Sequence, residues 1–128
     1  MAYLYIAIGS ALGGVARYWC SAAVAARLNS SFPWGTLTVN VVGSFAIGAA
    51  MGALEPASGW RPSPAAREFV NQFFMIGLLG GFTTFSSFSA QTLALLRSGD
   101  WTQAGANVLL SAALCLIAVA VGFWLTAR

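Results

Sequence analysis

Apolar residues fill four long stretches of this chain, at about residues 3–26, 35–54, 67–96 and 101–125, separated by short polar connections. About 20 apolar residues suffice to cross a bilayer as a helix, so each stretch predicts one membrane span. The third is not a plain span. From Phe69 to Leu96 it carries no charge, yet its middle reads GGFTTFSSFS from Gly80 to Ser89. Paired glycines weaken a helix, and hydroxyls need partners at membrane depth. The expected result is a helix broken near residues 80–84, with halves Phe69–Leu79 and Phe85–Leu96, each too short to cross alone. Such backbone survives only when buried in protein or lining a watery cavity, which is the pattern of an ion or substrate site.

Polar and small residues inside the spans recur every four positions, so they share helix faces that turn slowly along the axis. The first span places Gly9, Gly13, Arg17 and Ser21 on one face, where small residues permit close helix approach. Arg17 serves there as an anion ligand or as a structural anchor. The anchor is favoured, because an arginine near a helix end can reach the interface or cap carbonyls. The second span carries Thr36, Asn40, Ser44, Gly48 and Gly52. Most of this stripe fits simple helix packing. Asn40 is different: its amide cannot be satisfied by one helix, so it bonds across an interface or faces a pore. Phe85 and Phe88 share a face beside Ser86 and Ser89, as core packing or as part of the site. The fourth span repeats the device with Asn107, Ser111 and Cys115.

The connections carry boundary signals. Trp34 is placed as an interfacial anchor before the second span. Ser63 followed by Pro64 predicts an N-cap and first helical position. Gly99 predicts a helix end, and Asp100 with Gln103 three residues on predicts a capping box.

Composition narrows the chemistry. The chain has 128 residues, 59% hydrophobic and 7% charged, with mean hydropathy +0.78. A soluble domain carries about a quarter charged residues, so one transmembrane domain over residues 1–128 is expected. The apolar pattern begins at Tyr3 and outruns a signal peptide, so the first helix is expected to stay in the mature protein. Six arginines face Glu55, Glu68 and Asp100, with no lysine or histidine. The scattered arginines are no nucleic-acid footprint. The spans hold no carboxylate or histidine, and Cys20 and Cys115 fall in separate spans, so neither an enzyme nor a proton pump is expected. What remains is a set of neutral donors and aromatic ring edges, groups that solvate a small anion without holding it permanently. Arg61, Arg67 and Arg128 fall on one side of a four-span chain and Arg27 and Arg97 on the other, a bias too small to choose an orientation. Insertion both ways, an antiparallel homodimer and a pore between subunits are therefore expected.

The motifs GTLTVN (Gly35–Asn40) and GGFTTFSSFS (Gly80–Ser89), with the first-span pattern around Arg17, closely resemble the Fluc (CrcB) fluoride channels of microbes over all four spans. The resemblance implies an all-α, dual-topology antiparallel homodimer in the cell inner membrane, with two fluoride pathways and a central structural sodium ion. By motif position, Asn40 would be the pore asparagine, and Phe85 and Phe88 would turn their ring edges to fluoride. Ser111 would be the fourth-helix pore serine, with Thr36 and Thr84 along the pathway. Main-chain carbonyls around Gly80 and Thr83 from both subunits would hold the sodium. Gln91, Asn107 and Cys115 depart from the glutamate, tyrosine and serine found in relatives.

Two rivals make contrary predictions. A small dual-topology multidrug exporter needs an intramembrane glutamate, which the sequence lacks. A purely structural membrane protein predicts no ion flux and mild effects from Asn40→Asp or Phe85→Ile.

Overall fold

The computed structural model describes residues 1–128 and is entirely helical. Helix α1 covers Ala2–Leu28 and α2 covers Trp34–Ala53. The third stretch divides into α3, residues 64–82, and α4, Phe85–Arg97; α5 is Trp101–Thr126. A 3₁₀ turn, Pro56–Ser58, interrupts the long loop after α2.

The helix ends follow local chemistry. The Ser63 hydroxyl accepts the amide of Ala66 at 3.2 Å, with Pro64 at the first helical position. At the end of α4, Gly99 takes φ +82°, and the amides of Gly99 and Asp100 donate back to the carbonyls of Leu96 and Leu95. This is a Schellman end, in which a left-handed glycine lets the chain satisfy two orphan carbonyls. It consumes the Asp100 amide, so only half of the expected capping box forms. Asp100 Oδ1 accepts the Gln103 amide at 3.1 Å, while the Gln103 side chain donates to Asp100 Oδ2 and to Ser31 instead.

Small residues bring the helices together in pairs. On the α2–α5 seam, a Cβ at Gly48 would collide with the Val119 carbonyl and one at Gly122 with the Phe45 carbonyl. The Thr126 hydroxyl adds a bond to the Ala49 carbonyl at 2.8 Å. On the α1–α3 seam, a Cβ at Gly77 would lie 3.0 Å from the Gly9 Cα. Steps of four advance about 40° each around a helix, so the α2 stripe turns through about 160° between Thr36 and Gly52. Its glycine end therefore meets α5 while Thr36 and Asn40 face elsewhere.

Two features differ from expectation. Gly80 and Gly81 remain helical, so the interruption is confined to Thr83 and Thr84. Ahead of it, Val70–Leu79 forms ten residues of π-helix rather than ordinary α-helix. Such wide turns seldom exceed one turn; here they lie along the close α1 contact, where packing outweighs local propensity.

Only 17 of 128 residues are buried, and the outside is rich in leucine, valine, isoleucine and tryptophan. That is a surface suited to lipid or to another apolar chain. Helix α2, the 64–97 stretch and α5 are each long and apolar enough to cross a membrane. Helix α1 has the length, 27 residues, but Arg17, Arg27 and three tyrosines make it less apolar.

Candidate functional site

The site is built on the interruption between α3 and α4. The Thr83 amide and hydroxyl both donate to the Leu79 carbonyl, each at 3.0 Å, and end α3. Thr83 and Thr84 are then extended, with φ/ψ of −82°/157° and −152°/113°. β-branched side chains favour such backbone over helix. Helix α4 restarts with the Thr84 hydroxyl as its N-cap, accepting the Ser87 amide at 3.1 Å. A Cβ at Gly43 would strike the Thr83 methyl group, so the absence of a side chain there lets α2 lie against the break.

The extended Thr84 peptide has lost its helical partners, and Asn40 replaces them. Its Oδ1 accepts the Thr84 amide at 2.7 Å, and its Nδ2 donates to the Thr84 carbonyl at 3.1 Å. Nδ2 carries two hydrogens, so one remains for another acceptor. The Thr84 amide would otherwise have closed a turn onto the Gly80 carbonyl, which is thereby released.

Around this junction lies an open-sided cavity of about 690 Å³. It brings together seven of the residues singled out in the sequence: Asn40, Gly80, Thr83, Thr84, Phe85, Phe88 and Ser111. Ser44 and Cys115 also line it, and no charged residue does. The Phe85 and Phe88 rings are tilted at 44° with centroids 5.3 Å apart. Phe85 is 79% exposed, so its ring lies on the open side of the protomer.

The electrostatics come from backbone ends. Helix α4 presents its amino end at the break and α3 its carboxyl end, partial charges of opposite sign that favour an anion and a cation respectively. This dipole contribution is separate from the side-chain donors and ring edges expected from the sequence. The sign change at Thr83–Thr84 was nevertheless available from the expected break.

Two sequence-selected residues lie elsewhere. Thr36, 6% exposed, lines a second cavity of about 640 Å³ with Ser21, Tyr18 and Gln91. The Gln91 Oε1 is buried there without a hydrogen-bond partner. Arg17 is half-buried on α1 and lines neither cavity.

Membrane-capable helices surrounding an uncharged cavity at a backbone interruption define a multi-pass membrane protein. Residues 4–123 match the family model described as CrcB-like protein, Camphor Resistance (CrcB), and the chain belongs to this family. A relative from Opitutus terrae named "Fluoride-specific ion channel FluC" is 55% identical over 94% of this chain and 88% of its own length. Relatives of the same name from Methylocella silvestris and Paramagnetospirillum magneticum are 54% and 48% identical, each over 95% of this chain and 90% and 92% of their own lengths. The family is one of ion channels, and the protein is not an enzyme.

Proposed function

We propose that this protein is a passive, fluoride-selective channel that lets fluoride leave the cell across the inner membrane and so protects against its toxicity. The observation that carries the reading is the convergence of Asn40, Ser111 and two phenylalanine rings on one uncharged cavity at a helix amino end. The free Asn40 hydrogen and the phenylalanine edges replace part of the ion's hydration shell. Because none bears a full charge, the ion is also released, which conduction requires. The printed names of the relatives support the choice of fluoride.

The same reading gives four spans, α1 included, and two pores in an antiparallel homodimer. Phe85 and Gly80 are exposed at the open side of the cavity, where a second protomer would close it. Gly80 and Thr83 carbonyls at the carboxyl end of α3 suit a hard cation with oxygen ligands, and a sodium ion held there from both subunits would be structural.

Current recorded from the purified protein in planar bilayers tests the reading. With opposed fluoride and chloride gradients and equal pH on both sides, the reversal potential should follow fluoride. A potential that follows chloride or protons would contradict the proposal.

A further inference from the structure

Asn107 is 1% exposed, lies outside the cavity lining, and joins α5 to α4 through a chain of four polar groups. The direction of that chain can be read from its one fixed end. The Phe88 carbonyl can only accept, so the Thr92 hydroxyl, 2.8 Å away, donates to it. Thr92 Oγ1 has then spent its single hydrogen and must accept from Asn107 at 2.9 Å, which fixes the facing atom as Nδ2. The Asn107 Oδ1 is left facing Ser111, so the Ser111 hydroxyl donates to it at 3.4 Å. Of the three hydrogen-bonding side chains in this series, Thr92, Asn107 and Ser111, only Ser111 lines the cavity.

With its hydrogen turned toward Asn107, Ser111 offers the cavity only lone pairs. An anion can use Ser111 only if the hydroxyl rotates and leaves Oδ1 without a donor. At 3.4 Å the bond is longer than the usual hydroxyl bond and correspondingly weak, so rotation is cheap but opposed. We infer that Asn107 is a positioning residue that competes with the permeating anion for the Ser111 hydrogen and thereby keeps the ion from binding too tightly. The inference rests on the proposed passage of fluoride beside Ser111. It goes further by naming the group that sets how firmly that serine holds the ion.

The test is the fluoride concentration that half-saturates flux through reconstituted wild-type protein, Asn107→Leu, Thr92→Val and Ser111→Ala. Asn107→Leu removes the competing acceptor and should lower half-saturation about threefold to tenfold. Thr92→Val removes the anchor that fixes the amide, so the amide can turn Nδ2 toward Ser111 and release its hydrogen. It should shift half-saturation the same way even if Asn107→Leu assembles poorly. Loss of folded protein would lower maximal flux without moving half-saturation. In the Ser111→Ala background, neither substitution should shift it further. Unchanged half-saturation in Thr92→Val, or a shift that persists without the Ser111 hydroxyl, would overturn the inference. If Ser111→Ala itself matches wild type, the assignment of Ser111 to the pathway fails, and the inference with it.

Discussion

The Asn40 side chain receives the amide hydrogen of Thr84 at 2.7 Å and returns one to the same residue's carbonyl at 3.1 Å. A residue of α2 thus completes the main-chain bonding of a residue that lies between two helices. Asn40 therefore supports the backbone break as well as the cavity wall. Asn40→Leu leaves both Thr84 groups unpaired, at about 1–3 kcal/mol each. Lower thermal stability of the purified protein in detergent should accompany its loss of flux.

Asn40→Asp separates the two roles. The carboxylate can still accept the Thr84 amide but cannot donate to the Thr84 carbonyl, and it places a negative charge beside the anion's route. Folded yield should fall less than in Asn40→Leu, while fluoride flux drops by about 100-fold or more, the scale of several kcal/mol of repulsion in a partly desolvated site. Flux within twofold of wild type would remove Asn40 from the pathway.

Phe85→Ile tests the rings. It keeps the bulk apolar and removes the positive ring edge of a residue that packs 5.3 Å from Phe88. Size-exclusion behaviour should be unchanged, with fluoride flux reduced about tenfold or more, corresponding to loss of about 1.4 kcal/mol or more from the barrier. A mild effect would favour a packing role.

The break was legible because glycines, threonines and serines interrupt an otherwise apolar span, and the α2 stripe was legible because steps of four keep residues on one face. The precise place of the interruption was not, since Gly80 and Gly81 have the weaker helix propensity and yet stay helical. Asn40 decides it by supplying partners to Thr84, a residue 44 positions away. The π-helical stretch was equally hidden, because it accompanies contact with α1. Spacing groups Thr36 with Asn40, but one turn of α2 carries it to a different cavity.

Glycine seams should tolerate side chains poorly. A Cβ at Gly48 collides with the main-chain carbonyl of Val119, which cannot rotate away. Gly48→Ala should destabilise the fold by about 1–3 kcal/mol, the usual cost of overpacking, seen as a lower melting temperature in detergent. Gly105, with open space around it, is the control, and Gly105→Ala should leave stability unchanged or slightly raised.

Arg17→Gln should reduce the yield of assembled protein more than it alters ion selectivity, because Arg17 lines neither cavity. Cross-linking of the purified variant measures the first and reversal potential the second. Changed selectivity in a well-assembled protein would make Arg17 an ion ligand.

The central claim is tested most directly by fluoride efflux from liposomes holding the purified wild-type protein, with chloride as competitor and no proton gradient. The account predicts rapid efflux that chloride does not compete away and that Asn40→Asp abolishes. Absence of flux from a well-folded protein, or flux that appears only with a proton gradient, would contradict it.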